Sequence, residues 1–247
     1  MQLIVDQLEV ARGSRVILRG LSFAVASGEA LLLTGPNGAG KTTLIRTLAG
    51  YLAPAAGLIR LDGGDDEREF AEQCHYVGHL NGTRSSLTVE ENLVFWAGYL
   101  GADTAVEDRL DEALDRLNLI DLADIPAGYL SAGQKRRLGL ARLLVAERPV
   151  WLLDEPTVSL DTASVALMAA IVDEHVARGG IVVAATHIPL GLARTKELRL
   201  GSPSFSPSLR GEGRGGRHPH STAQAAAPRP SPLTAPSAGA QGEGAKP

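Results

Sequence analysis

The sequence predicts an α/β fold built on a parallel β-sheet, and three features of the chain lead to this prediction. Apolar runs at residues 31–33, 150–153 and 181–185 are typical of parallel strands that are buried on both faces. A glycine-rich segment joins the first run directly to a stretch with helical spacing of its apolar residues. A second helical stretch, residues 162–177, lies between the last two runs and completes a β–α–β unit.

The glycine-rich segment matches a phosphate-binding pattern. Residues 35–42, within the stretch LLLTGPNGAGKTT, fit the pattern G-x-x-x-x-G-K-S/T. Free amides at a helix N-terminus, with its partial positive charge, hold an anion. Lys41 adds a charge that reaches the outer phosphates, and the Thr42 hydroxyl is suited to Mg²⁺. An accidental glycine-rich turn is the alternative, which the flanking strand and helix disfavour. The predicted nucleoside triphosphate site comprises Gly35, Pro36, Asn37, Gly38, Ala39, Gly40, Lys41, Thr42 and Thr43.

Two adjacent carboxylates follow the second apolar run, in the stretch WLLDEP. Because Asp154 and Glu155 end a buried strand, they are expected at the sheet edge where ligands bind in such folds. Asp154 suits the outer shell of Mg²⁺, and Glu155 suits a general base that orients or deprotonates the attacking water. A solvated acidic turn is the alternative, and the phosphate loop upstream favours the catalytic interpretation.

A third motif, LSAGQ at residues 130–134, lies at a predicted helix start. Small residues there let backbone amides approach a phosphate closely, and the Ser131 hydroxyl adds a donor. An ordinary helix N-cap explains the residues themselves equally well.

The other elements are predicted from residue periodicity and from turn and cap residues. Strands are expected at residues 3–10, 15–25, 57–62 and 74–79, and the first helix at residues 41–52, before Pro54. Three further helices begin at capping-box patterns, in which a polar side chain is followed by Glu or Gln three residues later. The pairs are Thr88 with Glu91, Thr104 with Glu107, and Ser131 with Gln134.

The composition changes near residue 201. Of the 47 residues from there to Pro247, 31 are Gly, Pro, Ser or Ala, and few large apolar side chains are present to offset the entropy of ordering. Residues 201–247 are therefore predicted to be a disordered tail that contributes nothing to activity or assembly. Five basic and two acidic residues in this tail leave a formal charge of −7 on residues 1–200, which argues against a nucleic-acid partner.

The single cysteine, Cys74, excludes an internal disulfide and is interpreted as a structural thiol. No apolar run approaches the 18 residues of a membrane span, and the N-terminus lacks a signal-peptide pattern. We therefore expect a soluble, cytoplasmic chain that reaches a membrane only through a partner.

The order of these motifs, followed by His187 after a strand, resembles an ABC-type ATPase subunit. The resemblance implies a P-loop NTPase fold for residues 1–200, with a RecA-like core, an antiparallel β subdomain and a helical subdomain at about residues 85–147. In that family two copies pair head to tail, and each ATP lies between the phosphate loop of one copy and the LSAGQ helix of the other. The resemblance therefore implies that ATP and Mg²⁺ are bound, with Ser131, Gly133 and Gln134 contacting the partner copy's nucleotide. It also implies an Asp161 loop that signals across the dimer, and a His187 that contacts the γ-phosphate.

A narrower resemblance is to the ATP-binding subunit of the bacterial haem exporter of cytochrome c maturation. It is carried by the stretches YVGH at 76–79, LTVEENL at 87–93, LSAGQKRR at 130–137 and THIPL at 186–190, and by the Asn81-Gly82 pair. It implies integral membrane subunits as partners and a peripheral location on the cytoplasmic face of the bacterial inner membrane. ATP hydrolysis would then drive haem delivery or release of a haem-loaded chaperone. The chain has no C-x-x-C-H motif, so direct haem ligation is not predicted.

Two positions depart from the common pattern of transporter ATPases. His79 lies where many of them carry a glutamine that senses Mg²⁺ and the membrane partner, and an imidazole can accept from water or approach a metal. The position of the adenine-stacking aromatic ring is occupied by the stretch VARG at residues 10–13, in which the planar guanidinium of Arg12 is the substitute.

Three alternatives remain open at this level. The chain could serve an exporter of another cargo, because the ATPase motifs do not indicate which molecule is transported. It could be a soluble non-transport ABC module that acts as an assembly scaffold, although it lacks the long insertions or second ATPase unit of DNA-repair and ribosomal relatives. A domain that binds but does not hydrolyse ATP is disfavoured by the intact Asp154-Glu155 pair and by His187.

Overall fold

The computed structural model describes residues 1–101, 106–186 and 195–201, with Val106 described by its backbone alone, and the structural statements here concern these residues. Their strands are β1 (Gln2–Arg12), β2 (Arg15–Ala26), β3 (Ala30–Thr34), β4 (Ala56–Asp62), β5 (Cys74–Val77), β6 (Val150–Asp154), β7 (Ile181–Ala185) and β8 (Thr195–Arg199). Their α-helices are α1 (Lys41–Leu48), α2 (Val89–Leu100), α3 (Val106–Arg116), α4 (Ala132–Val145) and α5 (Thr162–Ala177). Short 3-10 turns lie at Phe70–Gln73, Ile120–Leu122 and Ala127–Tyr129.

The first sheet is antiparallel, with strand order β2-β1-β4. A bulge in β1, where Gln7 has φ +46° and the register shifts, adds one residue to the strand. Because of this extra residue, Leu8 and Val10 stay on the same buried face as Leu3 and Val5. That face packs with α1 and with one side of the second sheet.

The second sheet is parallel, with strand order β5-β6-β7-β3-β8. Every residue of β6 and β7 is buried, as their unbroken apolar sequences predict. Successive residues point to opposite faces, so Leu152 and Val183 pack with α1, whereas Leu153 and Ala184 pack with α5. The predicted α/β fold with a parallel sheet is confirmed, and the carboxyl ends of all five strands meet at one edge.

The helices α2, α3 and α4 pack on one another beside the parallel sheet and share one core cluster with it. Two of the predicted capping boxes are present. Thr88 Oγ1 accepts from Glu91 N at 3.1 Å and Ser131 Oγ accepts from Gln134 N at 3.2 Å, while each Glu or Gln side chain accepts from the cap amide in return. The pair of Thr104 with Glu107 includes a residue outside the described part of the chain.

Two element boundaries and one additional strand differ from the sequence prediction. Helix α1 ends at Leu48 rather than at residue 52, because Gly50 at φ +77° allows Tyr51 N to bond Arg46 O at 2.9 Å and so caps the helix before Pro54 is reached. Strand β5 ends at Val77 rather than at residue 79. Strand β8 is not predicted, since its sequence TKELR is mostly polar and exposed, as an edge strand tolerates.

Strand β5 begins with two buried side chains that have structural roles. The His75 Nε2 lies 2.6 Å from the Ala146 carbonyl oxygen, and burial lowers the pKa of His75 to about 3, so the neutral ring donates this bond. Burial also raises the pKa of the Cys74 thiol above its ordinary value. Among the described helices, none has both the length and the apolar character needed to span a membrane.

Candidate active site

The loop between β3 and α1 contains three glycines in backbone conformations that other residues rarely adopt. The φ angles are +127° for Gly35, +81° for Gly38 and +102° for Gly40. Gly40 is the N-cap of α1 and provides no side-chain cap, so the first amides of the helix are left for another acceptor. A Cβ at Gly35 would lie 2.3 Å from the Leu200 carbonyl oxygen, so this position also requires glycine for space.

Lys41 begins α1 and is only 8% exposed. Its ammonium group donates to the carbonyl oxygens of Gly35 at 2.7 Å and Pro36 at 3.3 Å. The side chain therefore curls back over the loop that it follows, and the charge sits inside the predicted phosphate cradle.

The next residue, Thr42, is linked to the carboxylate at the end of β6. Thr42 Oγ1 donates to Asp154 Oδ1 at 3.0 Å, and Asp154 is 2% exposed. A hydroxyl and one carboxylate fit Mg²⁺, which takes hard oxygen ligands and uses one or two carboxylates together with substrate phosphates. Within the described residues there is no group of three or more His, Cys, Asp or Glu side chains that could hold a metal ion.

Glu155 has a strained backbone conformation. Its φ is +52°, which is uncommon for a residue with a side chain, and its amide donates to Ala185 O at 2.8 Å. This turn directs the chain away from β6 immediately after Asp154, and Glu155 lines the same cavity as the phosphate loop.

The cavity has a volume of about 350 Å³ and brings together nine of the eighteen predicted site residues. Arg12, Arg15 and Ile17 line one side, and none of the described lining residues is aromatic. Arg12 therefore shares this cavity with the phosphate loop. The predicted site residues that line the cavity are Arg12, Asn37, Gly38, Ala39, Gly40, Lys41, Thr42, Thr43 and Glu155.

The LSAGQ motif lies elsewhere in the same chain. Ser131 and Gln134 form the capping box of α4, and Gly133 is close to the loop before α5, where an added Cβ would lie 3.2 Å from Ser159 O. Asp161 caps α5 by accepting from Ser164 N at 2.7 Å, a bond that lowers the pKa of Asp161. None of these residues lines the 350 Å³ cavity as the described residues define it.

Of the two predicted catalytic histidines, the structure describes one. His79 is exposed and follows β5, the neighbour of β6 in the sheet. His187 lies outside the described residues. The residue before it, Thr186, is described, and its hydroxyl lies 3.4 Å from that of Thr157.

Sequence reasoning missed Arg136, which is 3% exposed beneath this edge of the sheet. Its guanidinium donates to Glu155 O at 2.6 Å and to Pro156 O at 3.0 Å. Desolvation lowers the pKa of Arg136, while the charges of Asp154 and Glu155 oppose that shift. The sequence provided little indication of this burial, because the Lys-Arg-Arg run after LSAGQ is typical of an exposed basic helix face.

Comparison with known proteins decides the family. The profile of the ABC transporter family matches residues 18–158. The chain belongs to this family. Relatives include the cytochrome c biogenesis ATP-binding export protein CcmA of Chelativorans sp. (strain BNC1), 50% identical over 205 residues that cover 82% of this chain and 99% of the relative. The CcmA protein of Nitrobacter winogradskyi is 52% identical over 201 residues, which cover 81% of this chain and 98% of that protein.

A solved ATP-binding subunit of an ABC transporter has the same fold, with a TM-score of 0.73 and 26% identity over 82% of this chain and 89% of that one. The predicted resemblances to ABC-type ATPases and to the ATPase of cytochrome c maturation are thus confirmed. The chain is an ATP-hydrolysing ABC subunit.

The loop geometry predicts unequal effects of two alanine substitutions. Gly35→Ala adds an unfavourable φ and a clash with backbone, and we expect it to lower the free energy of unfolding by about 3 kcal/mol. Gly38→Ala is the matched control, since it has positive φ but no atom within 4 Å of the added Cβ, and we expect a loss of about 1 kcal/mol. Urea unfolding of the two variants measures the difference, and equal losses would contradict the close approach of the Leu200 carbonyl oxygen to Gly35.

Proposed function

We propose that this chain is the ATPase subunit of the haem exporter of cytochrome c maturation, and that it couples hydrolysis to haem delivery or to release of a haem-loaded chaperone. One observation carries the ATPase part of this proposal. At one edge of the cavity lie Lys41, Glu155, and Thr42 with its hydrogen-bonded partner Asp154. The CcmA relatives support the export pathway. The assignment of haem to this pathway is based on the resemblance of the sequence motifs.

Phosphate binding uses groups that are already oriented. The uncapped amides at the start of α1 point into the loop, and Lys41 exchanges its two carbonyl acceptors for phosphate oxygens when a nucleotide enters. Arg12 stacks its guanidinium on the base in place of an aromatic ring. Thr42 and Asp154 would hold Mg²⁺, which neutralises charge on the phosphates when bound.

Glu155 acts as the general base in this proposal. Glu155 lines the cavity, where its carboxylate can orient the attacking water and accept its proton. His79, exposed at the end of the neighbouring strand, assists as an acceptor for water, and His187 contacts the γ-phosphate. The His187 role stays a prediction from the motif order alone.

A head-to-tail homodimer completes the site. Ser131, Gly133 and Gln134 lie outside their own chain's nucleotide cavity, and the start of α4 is exposed at Ser131. A second copy can therefore present this helix start to the γ-phosphate from the open side. The Asp161 loop lies beside Gly133 and would carry the state of one site to the other.

The membrane subunits are proposed to dock in a groove beside α2. This groove has a volume of about 850 Å³, and several of its side chains are strongly exposed, including Leu80 at 83%, Tyr99 at 73% and Tyr51 at 68%. Exposed apolar patches of this kind mark interaction sites. Docking there would hold the chain at the cytoplasmic face of the inner membrane as a peripheral subunit, with the haem handled by its partners and no nucleic acid involved.

We also propose that residues 1–200 form the whole ATPase domain, with a helical subdomain at about residues 85–147. The tail, residues 201–247, would then be dispensable, as its Pro, Gly, Ser and Ala content suggests.

Removing the general base tests the ATPase mechanism. We expect Glu155→Gln to lower kcat by at least about 100-fold while ATP binding persists, because only the proton acceptor is lost. The ATP-bound form should then accumulate as a dimer, measured by light scattering with MgATP present. Glu90→Gln, an exposed carboxylate at the start of α2, is the control. Unchanged phosphate release by Glu155→Gln, or a monomer even with the membrane subunits, would refute the mechanism.

A charge in the groove tests the docking site. We expect Tyr99→Lys to reduce co-purification with the membrane subunits about tenfold or more, because an aromatic anchor is replaced by a solvated ammonium. Leu58→Lys, at a 51% exposed leucine on β4 outside the groove, should co-purify normally. Equal recovery of both variants would place the partner elsewhere.

Truncation after Gly201 tests the domain boundary. We expect the shortened chain to keep its ATPase rate and its co-purification with membrane subunits, since the deleted segment cannot build a core. Loss of either property, measured against the full chain, would show that the tail has a function.

A further inference from the structure

The guanidinium of Arg136 joins two segments that come from different strands. On one side it donates to the carbonyl oxygens of Glu155 and Pro156, as described above, with a longer contact of 3.4 Å to Asp154 O. On the other side Nη1 donates to Gly78 O at 2.9 Å and to Asn81 Oδ1 at 3.1 Å. All three guanidinium nitrogens are therefore engaged, which only the planar fork of arginine can do.

The first of these segments contains the strained backbone of Glu155. A non-glycine residue at positive φ costs of the order of 1–3 kcal/mol and persists only where its surroundings hold it. The bond from Arg136 to Glu155 O, at 2.6 Å, is charge-assisted and comes from a side chain that is almost fully buried. Arg136 thus holds the peptide that sets the direction of the Glu155 carboxylate.

The second segment, residues 78–82, lies between α4 and the groove. Gly78, Leu80 and Gly82 line the groove on one side. On the other side the segment lies against α4 so closely that a Cβ at Gly139 would be 2.9 Å from the Asn81 Cβ. Any occupant of the groove that displaces this segment therefore acts directly on the acceptors of Arg136.

We propose that Arg136 is the positioning residue that couples the groove to the general base, so that movement of residues 78–82 changes the orientation of Glu155. The proposal rests on the function proposed above, in which Glu155 is the base and the groove receives the membrane subunits. Arg136 touches neither nucleotide nor water in this scheme and acts only through the backbone of Glu155.

Arg136→Gln tests the proposal through kinetic measurements that would not change if Arg136 had a purely structural role. We expect kcat to fall about 10- to 100-fold, as misplacement of a catalytic group does, while the KM and the binding affinity for ATP stay unchanged, because Lys41 and the loop are untouched. Stimulation of the ATPase by the membrane subunits should be lost. Arg136→Lys keeps the charge but cannot reach both segments, so we expect kcat and stimulation to be reduced but measurable.

The chain offers a matched control in the next residue. Arg137 is on the same helix, and its guanidinium donates to Leu117 O at 2.8 Å and Asn118 O at 3.0 Å, within the helical part of the molecule. Arg137→Gln removes an equal charge and two carbonyl contacts, and it should leave kcat and stimulation close to those of the unmodified chain.

A milder variant keeps the test decisive if Arg136→Gln does not fold. Asn81→Ala removes one acceptor of Arg136 and nothing from Glu155, so we expect normal basal kcat and reduced stimulation. In a double-mutant cycle with Arg136→Lys, the two effects on stimulation should not add.

Three results would overturn the proposal. They are an unchanged kcat in Arg136→Gln, an equal loss of kcat in Arg137→Gln, and additive effects in the cycle. Full turnover by Glu155→Gln is a separate result, which would refute the proposed function itself.

Discussion

The hydrogen bond from Thr42 to the buried carboxylate of Asp154 is the constraint on which the site depends, because it requires an exact alignment of distant strands. Ala185 of β7 pairs with Leu33 of β3 on one side and with Asp154 of β6 on the other. The end of β6 is thereby level with the start of the phosphate loop. A shift of one residue in either ladder would turn the Asp154 side chain to the opposite face of the sheet. Burial of every residue of β6 and β7 makes such a shift costly, so the core of the sheet sets the geometry of the site.

The same sheet edge holds two buried cations in different ways. Among the described residues Lys41 has two carbonyl acceptors, both from its own loop, and a compact ammonium can exchange them for phosphate oxygens without moving the backbone. Arg136 is fixed by acceptors from two segments, and its fork cannot leave them without exposing several buried carbonyls. A charge with replaceable acceptors therefore lies in the predicted phosphate cradle, and one with fixed acceptors supports the backbone of the proposed general base.

Much of this arrangement could be predicted from the sequence, because much of it is local. The phosphate loop, the capping boxes of Thr88 and Ser131, and the apolar strands depend on residues a few positions apart, where spacing alone carries the signal. The contacts of Arg136 could not be predicted, since its acceptors lie between 18 and 58 residues away and most are backbone carbonyls, which every residue possesses. Strand β8 was missed for a related reason. It is stabilised by its pairing with β3, and its own polar sequence carries no strand pattern. The end of α1 depended on the conformation of Gly50 rather than on the more conspicuous Pro54.

The exposed aromatic side chains of α2 affect how the subunit behaves before it is assembled with a partner. Phe95 and Tyr99 stack on each other and are both more than half exposed, and the Trp96 ring meets each of them edge to face. Such a cluster is an aggregation hazard until a partner covers it. A subunit with this surface is therefore expected to aggregate more readily alone than in complex with a partner that covers it.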